Sequence, residues 1–345
     1  MLVTMTLPTR PTIEEACRIV YEAMPPTPQY CWPLLSHRAA CDVWLKHENH
    51  GPLGAFKLRG ALVYFRRLRQ AGGDIRIAVT ATRGNFGQAV AFAARREGIQ
   101  AVVYVPRGNS PGKNRAMQSL GATLVEYGDD FEQARLEARR WAEAEGHHYV
   151  PSFHPWLLEG TATCSWELFR AVESIDVAFV PIGMGSGILG MCAASAALGV
   201  HTEIVGVVSA HAPAYYESFL RRQAVVSPAR TRLADGMAVP APDAVAVELI
   251  CTHVSRVVMV TDDEVAAAMR AVFDDTHNIA EGAGAAPVAA IVKERDGLRG
   301  KRVAAVLTGG YVRPGDGAAR GARERHAVCS PRITGKITHS LSFCC

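Results

Sequence analysis

An α/β architecture, with two three-layer domains built on mainly parallel sheets, is predicted by three features of this sequence. Short apolar runs alternate with longer stretches of helical period. The links between them are short and often hold glycine, as expected where each strand returns through a helix and the sheet is covered on both faces. The alternation also comes in two blocks, before and after about residue 150, in a chain of 345 residues with room for two cores.

In order, Thr12-Ile13-Glu14-Glu15 reads as a capping box opening a helix to Met24, ended by Pro25-Pro26-Thr27-Pro28. Residues 42–46 read as a strand and 58–71 as a helix closed by Gly72-Gly73. Strands are expected at 75–79, 101–105 and 123–126, and helices at 85–97, 110–120 and 131–145. A helix over 156–172, a strand at 177–180, a helix at 188–198 and a strand at 203–208 continue the pattern. The strand 257–260 leads into a second capping box, Thr261-Asp262-Asp263-Glu264, opening a helix to Asp274. A helix at 284–294 and a strand at 303–307 complete it. Beyond Arg313 the periodicity stops, and 314–345 is expected to be a poorly ordered tail.

The totals exclude several classes. A net charge of +4, most of it beyond Asp316, leaves no basic face for nucleic acid. Nine cysteines without CxxC pairs or metal-ligand spacing read as reduced thiols, which points to the cytoplasm and to no metal centre. The N-terminus has no basic region followed by an apolar run, so no signal peptide is expected. Residues 177–200 carry no charge and are long enough to cross a bilayer, but they hold Pro181, Gly183, Gly185, Gly187 and Gly190. They parse better as strand, glycine loop and helix, and no membrane partner is expected.

Four segments carry candidate chemistry. In Gly51-Pro52-Leu53-Gly54-Ala55-Phe56-Lys57-Leu58-Arg59-Gly60-Ala61 a lysine sits between two glycine-bearing turns in apolar company. Burial disfavours its charged form and frees the amine as a base or nucleophile, the state needed to bond an aldehyde cofactor. The same lysine also fits a surface position opening a basic helix. Pro181-Ile182-Gly183-Met184-Gly185-Ser186-Gly187 follows an apolar strand and opens a helix, where backbone N–H groups and the helix dipole favour a phosphate. It lacks the lysine of a Walker loop, and as a dinucleotide fingerprint it is poor, because the next acidic residue, Glu203, opens a strand instead of ending one. Thr80-Ala81-Thr82-Arg83-Gly84-Asn85-Phe86 also joins a strand to a helix start and suits a carboxylate. Leu307-Thr308-Gly309-Gly310 ends a strand with a hydroxyl in the crevice where α/β folds bind ligands. Ala280-Glu281-Gly282 is read as a helix entry capped by Glu281.

Together and in this order, these segments resemble the fold-type II pyridoxal-phosphate enzymes (the tryptophan synthase β-like fold) over roughly residues 12–313. Lys46-His47-Glu48 followed by Pro52 to Ala61 matches the family's lysine motif, and the nearest branch looks like the serine/threonine dehydratases, or threonine ammonia-lyases. The resemblance implies a large cofactor-binding domain, 12–68 with 152–313, a small domain, 69–151, and pyridoxal 5'-phosphate (PLP) in the cleft between them. It implies Lys57 as the Schiff-base lysine, with Phe56, Asn85, Gly183, Met184, Gly185, Ser186, Gly187 and Thr308 around the cofactor. Thr82, Arg83, Gly84, Asn85 and Phe86 fall on the substrate carboxylate loop, while Gly236, in Ala234-Asp235-Gly236-Met237-Ala238, and Glu281 stand behind. The activity implied is elimination of water from L-threonine or L-serine, giving a 2-oxo acid and ammonia in a homo-oligomeric enzyme. Bulkier 3-hydroxy amino acids (β-aryl serine, 3-hydroxyaspartate, one derived from hydroxyectoine) and β-replacement remain open alternatives. Phe86 replaces the family's usual histidine and Tyr311 its asparagine. Arg83 occupies the serine position that racemases need, which argues against racemisation. No carboxylate follows the strand at Val205 until Glu217, so no divalent-cation site is expected.

Overall fold

The structure is a computed structural model and describes residues 5–312; the sequence reading of 314–345 as a tail lies outside the described residues. It holds two sheets. The larger uses β1 (Gln29–Cys31), β2 (Asp42–His47), β7 (Val177–Pro181), β8 (Glu203–Ser209), β9 (Arg256–Val260) and β10 (Arg302–Leu307) in the order β1-β2-β10-β7-β8-β9. All pairs are parallel except the edge pair β1–β2. The smaller is wholly parallel: β3 (Ile77–Ala81), β4 (Gln100–Val105), β5 (Thr123–Glu126) and β6 (His148–Tyr149), in the order β5-β4-β3-β6.

Helices cover both sheets: α1 (Arg10–Tyr21), α2 (Pro33–Ala39), α3 (Lys57–Gln70), α4 (Asn85–Arg96), α5 (Pro111–Ser119), α6 (Phe131–Ala144), α7 (Pro155–Ala171), α8 (Ser186–Leu198), α9 (Ala214–Arg221), α10 (Ala244–His253), α11 (Asp262–Thr276) and α12 (Gly282–Lys293). Valine and alanine fill the central strands, which are buried along nearly their whole length because helices lie on both faces. Helix α3 packs against both α7 and α4, so it joins the two sheets, and its crossing with α7 is unusually close. A Cβ on Gly60 would lie 2.8 Å from the carbonyl oxygen of Leu157, and one on Gly160 would lie 2.2 Å from that of Arg59. Only glycine fits at either point, so the spacing that sets the start of α3 is written into these two residues.

Several sequence expectations need correction. Helix α1 begins at Arg10 with Thr9 as N-cap and no side-chain cap bond, so the capping box at Thr12 does not form. Pro11 suits the first turn and draws the start upstream. Strand β3 lies two residues beyond its expected 75–79 because pairing starts at Ile77, opposite Gln100. Strands β1 and β6 are too short to show a period, and α2, α9 and α10 were not expected. The second capping box forms as read: Thr261 and Glu264 bond each other's backbone.

Candidate active site

Three turns converge on one cleft, each at the C-terminal end of a strand: 308–310 after β10, 181–185 after β7 and 82–84 after β3. The lysine segment is tied to the first. Phe56 N–H donates to Thr308 O at 3.0 Å, Gly310 N–H donates to Gly54 O at 3.0 Å, and Ala55 bridges Gly309. Lys57 is therefore held beside Thr308 as the first residue of α3, half-buried on the cleft wall. Its ammonium lies 4.6 Å from the centre of the Phe56 ring. Burial pushes its pKa down to about 8, Glu281 opposing only in part. The positive end of the helix works in the same direction. An ordinary lysine is neutral in about one molecule in a thousand at pH 7.5, whereas at a pKa near 8 roughly one in four is.

The glycine turn before α8 faces this amine. Gly185 is its N-cap with φ +100°, a conformation that favours glycine. A Cβ on Gly183 would lie 2.5 Å from Gly236 O, so the turn at 235–237 lies directly against the loop. The first-turn N–H groups of α8 have no intrahelical acceptor and suit a phosphate. The Phe56 ring, 3.5 Å from where a Gly187 Cβ would lie, joins this cup to the lysine wall.

The third turn offers a second anion site. Gly84 N–H donates to Thr82 Oγ1 at 3.0 Å, which leaves the first-turn N–H groups of α4, at Asn85 and Phe86, without intrahelical acceptors. Asn85 Nδ2 donates to both carboxylate oxygens of Glu281, at 3.1 and 3.0 Å. This corrects the reading of Glu281 as a helix cap: it holds the N-cap position of α12, but its side chain makes no cap bond. Burial pushes the Glu281 carboxyl up, with Lys113 opposing and Asp235 reinforcing. Thr308 is buried, and the Glu281 carboxylate packs over the next residue, Gly309.

Sequence reasoning missed Lys113 and the charged role of Asp235. Lys113 Nζ donates to Asp235 Oδ2 at 2.8 Å, pairing α5 on the small-sheet side with the turn at 235–237 on the large-sheet side. The Lys113 stem fills the space above Gly84, where a Cβ would lie 2.3 Å from its Cδ. The Tyr311 ring lies 5.2 Å from Lys113 Nζ, and its hydroxyl is 3.1 Å from Ser110 Oγ. A lone lysine in a polar helix start gives no local sign of such a long-range pair. Phe131, Ser152 and Val239, also unpredicted, complete the wall.

Behind α3 lies a buried quartet. Arg59 donates to Glu48 (Nε–Oε2 2.8 Å) and Glu167 (Nη1–Oε1 2.6 Å), and Lys46 Nζ donates to Glu167 Oε2 at 2.6 Å. Two cations and two carboxylates balance with almost no exposure.

Fold and site together present an α/β protein with a lysine of lowered pKa and two helix N-termini suited to anions around one cleft. Comparison with known proteins agrees. Residues 20–309 match the family model for pyridoxal-phosphate dependent enzymes. The chain is 32% identical over 301 residues to an L-threonine ammonia-lyase of Thermotoga maritima, covering 87% of this chain and 75% of that one. It is 34% identical to an L-threonine ammonia-lyase of Geobacter sulfurreducens, covering 80% and 69%. A solved structure, the processed form of threonine deaminase isoform 2 from Solanum lycopersicum, superposes with a TM-score of 0.81 at 25% identity, covering 94% and 97%. The chain belongs to the pyridoxal-phosphate-dependent enzymes of fold type II, in the serine/threonine dehydratase branch. It is a PLP-dependent lyase. The glycine cup, the depressed amine of Lys57 and the Thr308 hydroxyl are a donor set that fits this cofactor.

Proposed function

We infer that the chain eliminates water from L-threonine, and from L-serine, giving a 2-oxo acid and ammonia. The observation that carries this reading is Lys57, an amine with a lowered pKa between two separate anion-binding helix starts. In this reading Lys57 would hold the PLP aldehyde, the turn 183–187 with Met184 and Ser186 would take the phosphate, and the Asn85 side chain and Thr308 would contact the rest of the cofactor. PLP supplies an electrophilic carbon and an electron sink beside the substrate Cα–H bond. The first-turn N–H groups after Thr82 orient the substrate carboxylate. Lys57 Nζ, once released, takes the Cα proton, and its lowered pKa lets it act near neutral pH. Thr308 is neutral, and beside the pyridine nitrogen of a bound cofactor it would not hold a proton there as a carboxylate would, which would suit prompt loss of a β-leaving group. Gly236 and Glu281 back the site, through the glycine cup and Asn85 respectively.

The same proposal takes residues 12–68 with 152–313 as a large domain and 69–151 as a small one, in a cytoplasmic homo-oligomer. Among the described residues no helix is long and apolar enough to cross a membrane. The test is the visible absorbance of the purified protein before and after borohydride, with 2-oxo acid release from L-threonine and L-serine followed in wild type and Lys57→Ala. The reading expects visible absorbance that borohydride abolishes, and oxo acid from wild type only. Absorbance without oxo acid from either substrate would contradict it.

A further inference from the structure

Tyr311 follows the Gly309-Gly310 turn, which is tied to the lysine segment on the large-sheet side. Its side chain reaches across to α5 on the small-sheet side, where the hydroxyl lies 3.1 Å from Ser110 Oγ. Ser110 is the N-cap of α5 but makes no side-chain cap bond, so its hydroxyl serves Tyr311 instead. Gly112, in the first turn of α5, makes room for this contact. A Cβ there would lie 2.1 Å from the Tyr311 hydroxyl oxygen and 3.2 Å from Cζ. Gly112 is helical, so the position needs glycine for its space and not for its backbone.

The ring then flanks Lys113, its centre 5.2 Å from Nζ. Lys113 is buried there, pairs with Asp235 at 2.8 Å and lays its stem over Gly84. Gly84 leads into the first-turn N–H groups of α4 at Asn85 and Phe86, the second anion site of the cleft. An aliphatic cover keeps bulk water off those groups, and a hydrogen bond to an anion is stronger where water is excluded. An asparagine at 311 would end several bonds short of Ser110 and give Lys113 no ring to pack on.

We propose that Tyr311 is a positioning residue: wedged against Ser110, Gly112 and Lys113, it seats α5 on the large-sheet side and so holds Lys113 over the carboxylate turn 82–86. It acts through Lys113 and touches neither cofactor nor substrate. The kinetic consequence rests on the lyase reading above; the seating of α5 does not.

The test uses the PLP-loaded protein and three variants, Tyr311→Phe, Gly112→Ala and the two combined, in two readouts. One is KM and kcat for L-threonine. The other, independent of turnover, is amide hydrogen exchange in peptides covering 82–90 and 110–120, with 186–198 in α8 as the reference. Tyr311→Phe removes the contact with Ser110 and keeps the ring, so KM is expected to rise about threefold to tenfold, with kcat changed less than about twofold. Gly112→Ala drives the hydroxyl from its place. It is expected to raise KM at least about tenfold and to speed exchange in both site peptides but not in the reference. The combined variant is expected to lie closer to Tyr311→Phe than to Gly112→Ala, because the worst clash leaves with the hydroxyl and alanine otherwise suits a helix. Losses that simply add in the combined variant, or unchanged KM and exchange in Gly112→Ala, overturn the inference. Loss of cofactor absorbance in Tyr311→Phe overturns it by making the hydroxyl a cofactor partner. If wild type releases no oxo acid the lyase reading falls, and the exchange pattern across the three variants still decides whether Tyr311 seats α5.

Discussion

Lys57 and Arg59 stand two residues apart at the start of α3, and their surroundings treat positive charge in opposite ways. Arg59 is buried against two carboxylates, with Lys46 completing a neutral quartet. Burial alone would lower its pKa, but Glu48 and Glu167 outweigh that and hold it well above the ordinary value. Lys57 also leaves bulk water, but the carboxylate whose charge acts on it, Glu281, is itself buried, bonded to Asn85 and pushed toward its neutral form. One cation is compensated and becomes a permanent anchor; the other is left short of partners and becomes a reactive amine. The close α3–α7 crossing at Gly60 and Gly160 is what presents both residues from one rigid turn.

The largest effect that can break this comparison is on chemistry. Lys57→Ala is expected to lower kcat by about 10³ or more while leaving the melting temperature of the apo protein unchanged or higher, since a strained charge is removed. Steady-state kinetics and thermal melts on the same samples check both halves. Arg59→Met is expected to behave oppositely, destabilising the fold by about 3–5 kcal/mol because two buried carboxylates lose their main partner. Urea unfolding measures it.

A pH experiment sharpens the contrast. The Lys57 pKa is lowered from 10.5 to about 8 on folding, so between those values the unfolded chain binds the proton and the folded chain does not. Stability of the apo protein therefore carries a penalty below pH 8 that is relieved as pH rises toward 10.5, by roughly 3 kcal/mol at most. Subtracting the profile of Lys57→Met from that of wild type isolates this slope. The smallest effect is expected at Lys113→Met, about 1 kcal/mol in thermal stability, because its partner Asp235 is partly in contact with solvent.

What could be read from the sequence follows the range of the interaction that decides each feature. The strand–helix alternation and the glycine turns before α4 and α8 are local patterns, and they place Lys57, Asn85 and Gly183–Gly187 on the right elements. The capping box at Thr261 is equally local and forms. The one at Thr12 fails because Pro11, just upstream, offers a competing helix start. Glu281 sits in a capping position, but its carboxylate turns to Asn85, nearly two hundred residues away in sequence, which no local pattern reveals. The Lys113–Asp235 pair and the packing of Tyr311 on Ser110 and Lys113 are hidden for the same reason. The short strands β1 and β6 owe their existence to neighbouring strands in the sheet, so their own residues carry too little pattern to show it.

The central claim is that Lys57, among all the lysines, is the amine that bonds the cofactor. Borohydride reduction of the PLP-loaded protein followed by peptide mass mapping tests it most directly. The account predicts a phosphopyridoxyl mass on the peptide containing Lys57 and on no other. A label on Lys113 or Lys46, or no label after loading with PLP, would contradict it.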